Sequence, residues 1–255
     1  MVRVLVLAVA MACGLLAAGV ARADERNWAG FYIGANVGGG FGSSDARTAT
    51  ATGGTGYFAA SSEASINANG RQDLNVSGRM AGLQAGYNRQ HGNFVYGLEA
   101  DFDIANLNEG DAVTRTYPCC APSSYTLVQD MDTNWLFTAR PKAGFAFDNF
   151  LFYATGGLAL TTLHYNMLFT DNFAAALEKA AITKTKLGWA LGAGAEYALG
   201  AHWSLKADYL YVSFGNVSTT TTTFTSTFGP SPTNSFSHSA DLKVNIARVG
   251  VNYKF

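Results

Sequence analysis

Ser237, His238 and Asp241 lie close together in the stretch "SFSHSAD". A serine, a histidine and a carboxylate are the parts of a nucleophilic triad, in which the imidazole takes the hydroxyl proton and the carboxylate orients the imidazole. A triad is defined by geometry, and neighbouring residues of a serine-rich loop do not supply it. Of the other histidines, His91 and His202 fall in short turns and His164 stands next to Tyr165 at an outer rim. Tyrosine and histidine can be axial haem ligands, so His164, Tyr165 and Tyr125 are haem candidates, but no spacing connects them. Cys119 and Cys120 are adjacent, whereas zinc ligands are spaced. They read as a local loop staple or a bridge to another chain. No catalytic residue, cofactor or metal site is assigned, and the chain reads as a non-enzyme.

A different set of polar residues has a period. In "FVYGLEADFDI", Glu99, Asp101 and Asp103 alternate with Leu98, Ala100, Phe102 and Ile104. In "NWLFTARPKAGFAF", Arg140 and Lys142 alternate with Trp135, Phe137, Ala139 and Phe145. "LGWALGAGAEYAL" places Glu196 opposite Trp189, Leu191 and Tyr197. "HWSLKADYLYVSFG" places Lys206 and Asp208 opposite Trp203, Leu205, Tyr209 and Tyr211. "IARVGVNYKF" places Arg248 opposite Val249, Val251, Tyr253 and Phe255. Period-two alternation is the mark of a strand with two unlike faces. Charges confined to one face, with aromatics on the other, predict a polar network of Glu99, Asp101, Asp103, Arg140, Lys142, Glu196, Lys206, Asp208 and Arg248 on an inner surface.

The elements that must position these charges can be counted. "GFYIGANVGGGFG" and "RMAGLQAGYNR" alternate in the same way, and "LFYATGGLAL" is a strand whose two faces are both nearly apolar, so its facing is left open. That makes eight strands. Short turns at 88–93, 147–150 and 199–202 alternate with long connections at 43–73, 105–132, 163–185 and 215–242. Short turns on one side and long loops on the other are the signature of a transmembrane barrel. The prediction is an all-β, eight-stranded antiparallel up-and-down barrel with four long outer loops and three short periplasmic turns. Pro141 has no amide hydrogen for the ladder, which predicts a bulge or irregularity there. The connections read as polar and irregular, although the run "STTTTTFTST" is strand-prone and could extend the last hairpin.

Composition agrees with this class. The 255-residue chain is 48 % hydrophobic with 28 Gly, 17 Phe and 12 Tyr, but only 14 % charged, against about 25 % charged in ordinary soluble domains. Beyond the leader, no segment reaches the roughly 18 apolar residues of a membrane helix. The leader, "MVRVLVLAVAMACGLLAAGVARA", has a basic start, an apolar run and the small-residue motif Ala21-Arg22-Ala23. It reads as a cleaved signal peptide over 1–23, leaving a single barrel domain over 24–255; a lipoprotein site at Cys13 fits less well. Its removal takes away Arg3 and Arg22, and no basic stripe remains for nucleic acid.

"NWAGFYIGANVGGGFG", "YATGGLAL", "GWALGAGAEYAL", "ADYLYVSFG" and "RVGVNYKF" together resemble the outer-membrane β-barrel porin-like family, the small immunogenic surface antigens of Gram-negative bacteria, similar in architecture to opacity-type and OmpA-type barrels. The resemblance implies the cell outer membrane, with its lipid as one partner and the outer-membrane insertion machinery as another. It implies that this machinery reads Gly250, Tyr253 and Phe255 in the last strand as an assembly signal. Family members are described as porin-like channels, structural proteins, surface antigens and haem binders. The reading here is a structural barrel and antigen with a largely plugged polar lumen, the alternatives being a small channel or a haem or host-ligand binder through the outer loops. N-terminal sequencing of the mature protein should begin at Asp24; a start at Met1 or a lipidated Cys13 would contradict the leader.

Overall fold

The structure, a computed structural model, describes residues 27–51, 56–230 and 234–255. The leader and its cleavage site lie outside the described residues. Eight long strands form a hydrogen-bonded ring. In chain order they are β1 (Gly30–Ala51), β3 (Ser77–His91), β4 (Phe94–Thr116), β5 (Ser124–Phe147), β6 (Phe150–Asp171), β7 (Leu177–Ala198), β8 (Trp203–Thr221) and β11 (Ser235–Lys254). Each pairs antiparallel with its neighbour, and β1 closes the ring against β11, with Tyr32 opposite Lys254 and Val37 opposite Val249. The first long connection holds a helix, α1 (Ala60–Asn69), and a short strand, β2 (Arg71–Leu74), laid on β1. The last holds a small hairpin of β9 (Thr225–Ser226) and β10 (Gly229–Pro230).

The alternation decides what each face meets. Outward side chains in the lower half are apolar and open: Ile104 is 71 % exposed, Leu83 70 % and Phe145 65 %. On β4 this belt runs from Phe94 to Ile104. At ~3.3 Å per residue and a tilt of about 40° that is roughly 25 Å, the height of a membrane-facing band. The facing left open for β6 is resolved by burial. Leu151, Tyr153, Thr155 and Ala159 point inward, while Phe152 and Leu158 point outward.

The strands do not stop at the top of the belt. β4 and β5 are 23 and 24 residues long, about twice the 9–11 needed to cross a bilayer. Much of 105–132, 163–185 and 215–242, read from sequence as loop, is therefore paired strand. The junction between the two halves is marked by register shifts at Ile104/Leu107, Asp132/Phe137 and Asp241/Lys243. On β8 the inward positions are even-numbered up to Val212 and odd-numbered from Val217. Gly215, at φ +63°, supplies the left-handed residue that such a bulge requires. Pro141 does not disturb the register. It pairs with Leu98 in an unbroken run, and the Thr155 hydroxyl donates to its carbonyl at 2.8 Å. Pro141 lies on the outer face, where the missing amide hydrogen interrupts the β5–β6 ladder without inserting a residue.

Above the belt the interior is apolar. Phe58 from the first connection packs edge-on against Phe169, Phe224 and Phe236. Ile66 of α1 is fully buried among Leu74, Tyr125, Leu127, Tyr165 and other members of one cluster. The connection containing α1 thus folds into the mouth of the ring, a role its Gly- and Thr-rich sequence concealed. β7 and β8 pair only up to Trp189–Ser213. Above that point the walls part, and the Lys184 and Lys186 ammonium groups donate across the gap to the Ser218 and Asn216 carbonyls.

Candidate functional site

At belt height the ring interior is narrow. Eight strands leave room for little more than side chains. All nine charged residues of the alternating set are buried there, each at most 7 % exposed. Glu99 is the hub. It accepts from Arg140 Nη2 at 3.0 Å, from Lys206 Nζ at 2.6 Å and from the Tyr32 hydroxyl at 2.7 Å, with Lys142 Nζ at 3.7 Å. Arg140 also donates to Asp101 at 2.6 Å and to Thr138 at 2.8 Å, and Thr138 donates to the same Asp101 oxygen. Arg248 holds three carboxylates: Asp101 at 2.5 Å, Asp103 at 2.8 Å and Asp208 through two bonds at 2.9 and 3.1 Å. Lys142 pairs with Glu196 at 2.6 Å and lies 4.5 Å from the centre of the Tyr153 ring.

Two strand relations generate these contacts. Glu99 faces Arg140 directly across the β4–β5 ladder, and Asp208 faces Arg248 across β8–β11. Arg140 also reaches Asp101 diagonally on the same ladder, and other contacts cross the lumen. β4 and β8 stand four places apart in a ring of eight, on opposite walls, yet Glu99 and Lys206 meet. An amide chain lies beside them: Asn36 donates to Gln84, Gln84 to Asn252, and Asn252 to Glu196. The sequence reading omitted Tyr153, because the facing of β6 was open. It also omitted Thr138 and Gln84 from the network, although their inward parity was available. Small residues make room for the rings: a side chain added at Gly86 would collide with Tyr32, and one at Gly194 with Tyr153.

The other candidate residues are placed apart. His238 lies in β11 rather than in a loop. Its two ring nitrogens sit 3.1 and 3.2 Å from the hydroxyls of Thr48 and Thr221, and its ring is buried. Ser237, the next residue on a strand, faces the other side and is exposed. Asp241 pairs with Lys243 and accepts from the Asp45 amide. The three residues form no triad. His164 faces outward onto Thr183, whereas Tyr165 faces inward and donates to Gln129. Tyr125 is packed in the upper core with its hydroxyl against Ser65. Cys119 and Cys120 are joined to each other in the turn between β4 and β5.

The ring, the lipid-height belt and the inward charges define an envelope barrel, and the family model described as "Outer membrane protein beta-barrel domain" matches residues 10–255. The chain belongs to the outer-membrane protein β-barrel family. The barrel is 35 % identical over 239 residues to the 31 kDa outer-membrane immunogenic proteins of Brucella melitensis biotype 1 and Brucella suis biovar 1, covering 91 % of this chain and 85 % of each relative. Among solved structures, the attachment invasion locus protein Ail of Yersinia pestis aligns over 86 % of this barrel and 98 % of that chain, at 14 % identity and a TM-score of 0.32. Neisserial surface protein A aligns over 88 % and 97 %, at 13 % identity and a TM-score of 0.33. The barrel resides in the outer membrane. Among its described residues no helix is long and apolar enough to cross a membrane.

Two measurements probe the interior. Arg140→Ala strips Glu99 and Asp101 of a buried partner and should destabilise the barrel by about 3–5 kcal/mol. Lys184→Ala, at the exposed gap between β7 and β8, should change stability by only about 0.5 kcal/mol. Equal urea midpoints for the two variants in lipid would contradict this. Burial lowers the His238 pKa from 6.5 to about 4, so between those values the unfolded chain binds more protons than the folded one. Stability contributed by the neutral ring is complete above pH 6.5 and declines as pH falls toward 4. Hydrogen-exchange protection factors at Thr48 and Ser239, corrected for the intrinsic exchange rate at each pH, should fall as pH drops through that window in the wild type, and less so in His238→Gln.

Proposed function

We propose that this barrel is a structural protein and surface antigen of the outer membrane, without catalytic activity, whose lumen is plugged by its own side chains. The observation that carries the reading is the contact of Lys206 with Glu99 from opposite walls at 2.6 Å, with Arg140 bonded to the same carboxylate, Lys142 facing it at 3.7 Å, and Arg248 joined to Arg140 through Asp101. Ions would have to displace charges that already satisfy one another, and breaking buried pairs is costly. The second layer, Phe58 and α1 seated among aromatic rings above the belt, adds an apolar barrier in series. The names of the Brucella relatives support the antigen reading. The divergence of Ser237 from His238, and of His164 from Tyr165, speaks against hydrolysis and against a haem held by these residues.

The assembly role of the last strand belongs to the same proposal. Tyr253 packs on Trp203 and His202, and Phe255 packs on Phe31 and Tyr253, while Gly250 sits opposite Asn36. These residues stand at the seam where the ring closes, a natural place for the insertion machinery to engage the strand.

In planar bilayers the purified barrel should show no stepwise openings; regular ion-conducting steps would replace the plug with a channel. Phe255→Ala should refold almost normally in vitro, since one interfacial side chain contributes about 1–3 kcal/mol, but should accumulate in the periplasm of cells. Normal assembly in cells would reduce Phe255 to a belt residue.

A further inference from the structure

Above the belt the ring divides into two four-stranded sheets. One runs β4–β5–β6–β7 and the other β2–β1–β11–β8. β3 leaves β4 at Ser77–Asn108, and β7 leaves β8 at Trp189–Ser213. The first sheet therefore ends in two bare edges. Among the described residues, 109–116 of β4 pair only with β5, and 178–188 of β7 pair only with β6. A long unpaired edge is a template for another strand.

The two edges carry opposite charges at matching positions. Glu109 and Asp111 stand on β4, across the ladder from the buried Met131 and Gln129 of β5. Lys184 and Lys186 stand on β7, across from the buried Leu163 and Thr161 of β6. All four thus belong to the inner face of one sheet, yet Asp111 and Lys184 are exposed, because the sheet stops beside them. Asp111 accepts from the neighbouring Ala112 amide, and neither acid enters an ion pair among the described residues. Each lysine donates to one carbonyl of β8, which leaves donors free on both ammonium groups.

We propose that the barrel associates head to tail with further copies of itself through these edges, β4 of one copy continuing the sheet of the next at β7, above the membrane. β4 ascends from the short-turn side and β7 descends toward it. Two barrels upright in one membrane therefore bring β4 of one copy antiparallel to β7 of the other, in the direction that β8 takes in the ring below. β4 against β4, or β7 against β7, would run parallel and set like charges together. Placing Glu109 opposite Lys186 puts Asp111 opposite Lys184 and Val113 opposite Ile182. The same register sets Ile104 level with Leu191, two exposed belt residues, so the lipid-facing belts of both copies stay aligned. The second sheets can meet in the same way, since β2 descends and β8 ascends. The partner is a second copy because both halves of the complementary pair, with their direction and height, come from this one chain. The contact joins unlike surfaces, so it propagates in rows or closes into rings. The inference rests on the outer-membrane placement of the barrel and is independent of whether the lumen conducts.

The test is energy transfer between donor- and acceptor-labelled copies of the full barrel in phospholipid vesicles at low protein density. The folding of every variant is checked by its β-sheet circular dichroism. The wild type should show transfer that declines with added salt. Lys184→Glu with Lys186→Glu makes both edges acidic, and Glu109→Lys with Asp111→Lys makes both basic. Each double variant alone should associate about tenfold more weakly than the wild type. Mixing the two should restore transfer, because contacts in the mixture again join opposite charges, a rescue that misfolding cannot produce. Arg89→Glu, exposed at the short-turn rim, should associate like the wild type. Carbodiimide treatment of mixed light- and heavy-isotope copies should link Glu109 or Asp111 of one copy to Lys184 or Lys186 of another. No transfer in the wild type, undiminished transfer in both double variants, or a mixture that fails to recover would overturn the assignment.

Discussion

Glu99 is held from three walls at once, by Arg140 and Lys142 on the neighbouring β5, Lys206 on the opposite wall and Tyr32 on β1. That convergence is the constraint on which the membrane-height half depends. A buried carboxylate is tolerated only when its charge and lone pairs are answered, and here the answers come from strands far apart in sequence. Replacing one member leaves the others buried and unpaired. The network therefore fixes the stagger of the ring, because sliding one strand by a residue would turn its charge toward lipid.

The upper half inverts this arrangement. In the membrane the outer face is apolar and the inner face charged; above it the interior holds Phe58, Phe169, Phe224 and Phe236 while charged residues such as Arg47, Asp45 and Arg71 face outward. The same chain meets lipid in one half and water in the other, so the apolar face changes sides. The register shifts lie at the boundary, where Gly215 and the Asn134–Trp135 step change which parity points inward.

That inversion explains what could be read from the sequence. Within the belt, the alternation of Glu99, Asp101 and Asp103 with large apolar residues signals a strand and its facing together. Arg140 and Lys142 could be placed for the same reason. The strand "LFYATGGLAL" resisted because Tyr153 and Leu151 are as apolar as the outward Phe152 and Leu158. Above the belt the parity breaks, and polar outward residues such as Thr and Ser look like loop. Phe58 and Ile66 sit in a stretch of Ala, Gly and Ser whose tertiary role no local period announces. His238 reads as loop because Ser235, Ser237 and Ser239 surround it in the sequence and its partner Thr48 is 190 residues away.

The pairing of β1 with β11 sets the order in which the molecule can be made. Tyr32 and Lys254 bond across almost the whole described chain, so the closing contact is also the one of greatest sequence separation. Such contacts carry the largest chain-entropy cost and form slowly. Until they form, β1 and β11 present bare ladder edges that can recruit other chains. A chain with this connectivity has no protected edge until its first and last strands meet, so safe assembly favours closing the ring where other chains are few.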